Sequence, residues 1–250
     1  MKISFLGGHI VRGTGVSIVR YNDNVLKIPF SSRAFSEIYS ERHILKNIEM
    51  DLHFCPYLPE YRYYGPLLIT DFMRDVVADD MSLIEKYFSS AFYDVDSWKK
   101  EPLSRIIKWD VLSNFMQLTN VDQRKCHDFI HNNDIKSSSV HGDFCKKNIL
   151  INNESLFFID WSRYKLRSSR FFDVISFYIE EKRNGSKWTD KLIQILESSN
   201  LNSIYSIEIP VKYFLYYGLW RLCDELVYVN LNLNKRRKYV KFITELYQYL

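Results

Sequence analysis

Apolar and polar positions alternate in short runs at the start of this chain. They then give way to helical spacing, and alternation returns once near the middle. Residues 3 to 28 read as strands. Val16 to Tyr21 is apolar and β-branched, Asn22-Asp23-Asn24 is a turn, and Val25-Leu26-Lys27-Ile28 is a second strand ended by Pro29. Ser31-Ser32 can cap a helix from about Arg33 to Glu49, with Phe35, Ile38, Ile44, Leu45 and Ile48 as its apolar face. Pro56, Pro59 and Tyr61 to Tyr64 read as a loop with an edge strand, and Leu67 to Met73 as a strand followed by a polar crossing. The lobe boundary is placed there, with residues 1–73 as an N-terminal lobe and residues 74–250 as a C-terminal lobe. From Met81 to His131 the pattern is helical, with Leu103, Ile106, Ile107, Val111, Leu112, Phe115 and Met116 at helical spacing. Later helices are expected at Phe171 to Lys182, Asp190 to Glu197, Val211 to Asn230 and Lys238 to Leu250. The Val211 to Asn230 segment is apolar on most sides and should be a buried core helix. Strands, one helix, more strands and then mostly helices imply an α+β chain with two segregated lobes.

The returning alternation holds the chemistry. Asn148-Ile149-Leu150-Ile151 reads as a short strand, Asn152-Asn153-Glu154 as a turn, and Leu156 to Ile159 as the returning strand. This hairpin should bring Asn148 close to Asp160. An amide oxygen and a carboxylate converging at a strand end can hold Mg²⁺. Asp143, ahead of them in the loop His141-Gly142-Asp143, is then free to accept a proton. That set suits phosphoryl transfer from a nucleotide. A nucleotide would lie between the two lobes, with Asp71 to Met73 as the hinge. Arg12-Gly13-Thr14-Gly15 is the candidate phosphate loop, with Gly7-Gly8 as its rival. Lys27, in an apolar strand, needs an anionic partner. Glu37 and Glu41 are the candidates, and Glu41 is preferred.

Composition narrows the partners. The apolar share of 46% suits a globular chain, and aromatics at 16% point first to an aromatic-rich core. A net charge of +4 does not call for nucleic acid. The basic residues are nonetheless clustered, at Arg163, Lys165, Arg167 and Arg170 and again from Lys235 to Lys241, in both cases without an acid between them. Solvated faces account for most such runs; an anionic substrate or a peripheral membrane contact is the sharper reading. Cys55, Cys126, Cys145 and Cys223 form no Cys-x-x-Cys pair, so neither a zinc site nor a disulfide framework is expected. Without a signal peptide or a long apolar run, a reducing cytoplasmic location and no membrane span are expected.

His141-Gly142-Asp143 with Asn148, then Ile159-Asp160-Trp161, resembles the catalytic core of the aminoglycoside phosphotransferase and choline kinase family, within the protein-kinase-like superfamily. Phe172-Asp173-Val174 matches a further family feature, and Lys27, Glu41 and the hinge fall in family order. The resemblance implies a bilobal fold with a small antiparallel N-lobe and a mostly helical C-lobe. It implies that Asp143 is the catalytic base or the acid that orients the acceptor hydroxyl, in a loop braced by His141 and Asp173. It also implies that Asn148 and Asp160 ligate Mg²⁺ and that Lys27, held by Glu41, contacts the phosphates of ATP. Gly142 and Asp160-Trp161-Ser162 depart from the protein-kinase pattern and favour a small-molecule or sugar kinase. Where the family often has His or Lys two residues after the base, this chain has Cys145.

The acceptor is read from charge. Arg163, Lys165 and Arg167 favour a hydroxyl acceptor that also bears phosphate or carboxylate. Lipopolysaccharide-core or capsule sugar kinases resemble this size and core. Aminoglycoside or choline/ethanolamine kinases are the alternative, and a pseudokinase or nucleotide-binding module is the alternative of another class. Tyr213, Tyr216, Tyr217, Trp220, Asp224 and Glu225 could bind a cation, but a packed aromatic helix is the first reading.

Overall fold

The structure, a computed structural model, describes residues 15–21, 24–71, 73–198, 201, 203–228 and 232–250. The chain begins with β1 (Val16–Tyr21), β2 (Asn24–Pro29), α1 (Ser32–Glu49), β3 (Tyr61–Tyr64), β4 (Leu67–Asp71), β5 (Arg74–Asp75) and α2 (Met81–Ala91). It continues with β6 (Lys100–Pro102), α3 (Trp109–Met116), α4 (Gln123–His131), β7 (Asp134–Lys136), β8 (Ser138–Val140), β9 (Ile149–Asn152), β10 (Ser155–Phe158) and β11 (Lys165–Ser168). It ends with α5 (Phe171–Lys182), α6 (Trp188–Ser198), β12 (Ser203–Ile204), β13 (Ile207–Glu208), α7 (Lys212–Tyr228) and α8 (Leu233–Leu246). Two compact units result: Met1–Ile84 with Lys146–Tyr164, and Glu85–Cys145 with Lys165–Leu250. The first is built on small antiparallel sheets and the second is mostly helical, as the α+β reading expects.

In the first unit the strands run in the order β1-β2-β4-β3. The Ser31 hydroxyl caps α1 by accepting from the Ala34 N–H at 3.1 Å. Ala34, Ile38, Leu45 and Ile48 are the residues that α1 buries. Phe35, expected on that face, is instead 48% exposed. A helix turns about 100° per residue, so Ile38, Leu45 and Ile48 share one stripe with Ala34, and Phe35 falls off its edge. Glu41 lies in the middle of the same stripe.

A second sheet, β10-β9-β5, completes this unit. Asn153 and Glu154 both have positive φ, 47° and 64°, which suits a tight two-residue hairpin turn between β9 and β10. The ladder extends past the strands, with the Ile159 N–H donating to the Asn148 carbonyl at 3.0 Å. Asn148 itself belongs to a short 3₁₀ turn before β9, not to the strand as expected. A buried aromatic cluster anchors the hairpin. Tyr57 stacks on Phe158 at 4.9 Å, Phe54 meets Trp161 edge-on at 5.1 Å, and Trp161 Nε1 donates to the Phe158 carbonyl at 2.9 Å. Phe158→Ala is therefore expected to cost about 3–5 kcal/mol. Urea denaturation should show a lower midpoint at unchanged slope; an unchanged midpoint would mean the ring contributes no packing.

The second unit is organised on α5 and α7. Val174, Ile175 and Phe177 of α5 and Phe214, Leu219 and Leu222 of α7 are all buried. Gly218 lets α7 approach its neighbours, since a Cβ there would come within 2.9 Å of the Leu192 side chain. The helical pattern expected from Met81 to His131 is broken into α2, α3 and α4. Residues 100–102 pair with β7, and the Leu103 N–H donates to the Asn133 carbonyl at 2.8 Å. Pro102 has no N–H for a helical bond. The basic run at Lys235, Arg236 and Arg237 is an exposed face of α8. Among the described residues, no helix is long and apolar enough to cross a membrane.

Candidate active site

In the first unit, Lys27 stands in the middle of β2, opposite Ile18 on β1 and Leu68 on β4. Its Nζ lies 2.6 Å from Glu41 Oε1. Glu37, the other candidate partner, pairs with Arg33 on the exposed side of α1 at 2.9 Å. Lys27 and Glu41 line a cavity of about 490 Å³ whose apolar wall includes Ile18, Val25, Leu68 and Leu150. Asp71, Met73 and Asp160 also line it. The cavity therefore combines a largely apolar wall with a few charged groups, as small-molecule sites do.

Several local features shape this cavity. Gly15 has φ 72°, and a Cβ there would stand 2.5 Å from the Ser31 hydroxyl, so glycine is required where β1 begins against the start of α1. Gly13, Thr14 and the rival Gly7-Gly8 lie outside the described residues. Asp160 is left-handed, with φ 60° and ψ 61°. That conformation costs a non-glycine residue about 1–2 kcal/mol. Buried Trp161 follows it, and Ser162 donates to Asp160 Oδ1 at 2.9 Å. One contact was not legible in the sequence. Arg74 grips Asp80 with both terminal nitrogens at 2.6 and 2.7 Å. This fork, with the Val77 N–H, lowers the Asp80 carboxyl to a pKa of about 2.

In the second unit, the loop after β8 presents Asp143. Asp173, at the start of α5, accepts the His141 N–H at 2.8 Å and the Gly142 N–H at 3.0 Å. Burial pushes its carboxyl up to about 7, against the pull of those two N–H groups and of Arg170. Gly142 has φ 86°, a left-handed conformation natural to glycine. His141 is fully buried, and its Nδ1 is 3.3 Å from the Asp143 N–H. Phe144 is also fully buried and stacks on Tyr87 at 5.6 Å. The loop is thus fixed by hydrogen bonds on one side of Asp143 and by an aromatic anchor on the other. Cys145, after that anchor, is buried too.

Arg221 on α7 was missed by sequence reasoning; its only signal was a lone arginine within a mostly apolar helix. Its Nη1 donates to the Gly142 carbonyl at 3.0 Å, and its Nη2 lies 3.3 Å from Asp143 Oδ1 and 3.5 Å from Glu225 Oε1. Burial disfavours the guanidinium charge, but Tyr217, Asp143, Glu225 and Asp224 outweigh that and hold its pKa above the ordinary arginine value. The four α7 aromatics singled out as a cation site, Tyr213, Tyr216, Tyr217 and Trp220, are buried and pack ring against ring, so they form core and not an open cation cage. Of the basic residues singled out as acceptor ligands, Lys165 lies 3.9 Å from Asp224 and Arg167 is exposed on β11. Arg163 belongs to a short turn in the first unit. Arg170 has a structural place, donating to the Ala91 carbonyl at 2.8 Å and covering the Trp98 ring at 4.9 Å.

Among the described residues, no group of three or more His, Cys, Asp or Glu side chains could hold a metal ion.

No protein-family profile matches the chain, and no curated protein matches it. Solved structures do. Choline kinase LicA from Streptococcus pneumoniae is 13% identical with a TM-score of 0.53, covering 100% of this chain and 94% of its own. A thermostable mutant of aminoglycoside phosphotransferase APH(4)-Ia is 14% identical with a TM-score of 0.53, covering 99% and 95%. Macrolide 2'-phosphotransferase MphH from Brachybacterium faecium is 12% identical with a TM-score of 0.51, covering 91% and 87%. At these identities the likeness is one of fold, and the fold is protein-kinase-like.

Proposed function

We propose that this chain, with its protein-kinase-like fold, is an ATP- and Mg²⁺-dependent phosphotransferase that moves the γ-phosphoryl group to a hydroxyl of a sugar or other small molecule. The observation that carries the reading is the Lys27–Glu41 ion pair at 2.6 Å in a cavity also lined by Asp160. A lysine tethered by a carboxylate is positioned to meet nucleotide phosphates, while the apolar wall suits a base. Asp71, which ends β4, and Met73 just after it would border that base, and Gly13, Thr14 and Gly15 stay the candidate phosphate loop. A thermostable mutant of APH(4)-Ia has been crystallised as a ternary complex with ADP and hygromycin B. The donor set fits Mg²⁺, which is commonly held by one or two protein oxygens together with phosphate oxygens. Asp160 and Asn148 would supply those protein oxygens. When bound, the ion would neutralise charge developing on the phosphoryl oxygens.

Asp143 would accept the proton of the acceptor hydroxyl as that oxygen attacks. Asp173 and His141 would keep the loop rigid so that the carboxylate faces the hydroxyl. For the acceptor, Arg163 and exposed Arg167 support an anionic glycan such as a lipopolysaccharide-core or capsule sugar. A cationic acceptor, as for an aminoglycoside or choline/ethanolamine kinase, is the second reading. Radiolabelled ATP offered with phosphorylated glycans, choline and aminoglycosides tests both. Label is expected on a phosphorylated glycan. Label on cations alone would select the second reading, and ATP binding without transfer to any of them would indicate a nucleotide-binding module.

A further inference from the structure

Resting on that reading, we propose that Arg221 is a positioning residue, a guanidinium on α7 that fixes the orientation of the base Asp143 by clasping it together with the preceding peptide. Gly142 shows how. Its N–H is accepted by Asp173 of α5, and its carbonyl accepts from Arg221 of α7. Gly142, the residue entering the base, is therefore held at both its N–H and its carbonyl by side chains on two different helices. The same guanidinium reaches the base carboxylate through its other terminal nitrogen. A guanidinium offers the carbonyl and the neighbouring carboxylate separate donors in one rigid plane; a lysine ammonium is a point charge with rotatable donors and sets no such direction.

Stability alone does not account for this arrangement. Arg221 is 9% exposed, and its Nε is buried without a hydrogen-bond partner. A buried ionic group with an unsatisfied nitrogen is seldom worth more than a well-packed apolar residue of similar size. What arginine provides here and an apolar residue does not is a fixed direction for the Asp143 carboxylate. Catalysis is sensitive to such placement.

The charged and titratable groups around Asp143 include His141 on its own loop, Asp173 from α5, and Arg221 and Tyr217 from α7, with Glu225 sharing Arg221. The full chain labelled with ¹³C-aspartate reports the Asp143 carboxyl directly, assigned by its loss in Asp143→Asn, and needs no acceptor. Removing a nearby cation raises a carboxyl pKa, so Arg221→Gln should move the Asp143 midpoint up by about 1 pH unit. Arg221→Lys keeps the charge and should move it less. With an acceptor from the transfer panel, Arg221→Lys should lower kcat by about 10-fold, the effect of a displaced catalytic group, at unchanged KM for ATP. A folded Arg221→Gln chain with an unmoved midpoint overturns the proposal. If that variant does not melt cooperatively, Arg221→Lys decides, and wild-type kcat there overturns it. If the unsubstituted chain transfers to no acceptor, the phosphotransferase reading fails by itself, and the titration still tests whether Arg221 governs Asp143.

Discussion

Asp143→Asn is expected to lower turnover by about 10²–10⁴-fold, the usual contribution of a positioned general base. Asparagine keeps the shape of the side chain and an oxygen that can still accept from Arg221. It cannot take a proton. The loop around it depends on Asp173, Phe144 and Arg221, so the substitution should leave the fold in place. ATP affinity should also be retained, because Lys27, Glu41 and the apolar cavity wall belong to the other unit. Steady-state rates on the true acceptor, with calorimetric titration of ATP, separate these effects. Turnover within threefold of the unsubstituted protein would remove Asp143 from the role of base.

Lys27→Met is the second large effect. It preserves the apolar stem and deletes the ammonium. A hydrogen bond to a charged group is worth about 1.5–3 kcal/mol, equivalent to roughly 10–150-fold in affinity. ATP binding should weaken within that range. Glu41→Gln is the informative companion. It leaves Lys27 charged but no longer held by an ion pair, so affinity should fall by less. Equal affinities for Lys27→Met and the unsubstituted chain would show that the cavity does not receive the phosphates through this lysine.

The legible features of this protein are the local ones. The β1–β2 strands and the β9–β10 hairpin follow from alternation and turn residues within about a dozen positions. The Ser31 cap follows from one side chain and one N–H. The choice of Glu41 over Glu37 was open to helical geometry alone, because only Glu41 lies in the stripe between Ile38 and Leu45. Asp173 was legible only through resemblance, since nothing in its own surroundings in sequence signals a bond to His141 and Gly142. What stayed hidden depends on distant pairing. The break in the helical pattern before α3 needs β6 to meet β7. Arg221 meets Asp143 across 78 positions. Phe35 was misread because periodicity identifies a face but not its exact centre.

Each compact unit is assembled from two separated stretches of chain, which bears on how the protein is made. Strand β5 finds its partner β9 only after the intervening Glu85–Cys145 stretch has been synthesised. Asp160, on the wall of the cavity in the first unit, is added later still. A nascent chain ending near residue 84 therefore has the whole four-stranded sheet, only β5 of the second sheet, and no means of closing the cavity. Ligand-binding competence should arrive late in translation, in one step, once the hairpin has left the ribosome. For the same reason, no single cut in the gene separates the two units into pieces that each retain all their strands.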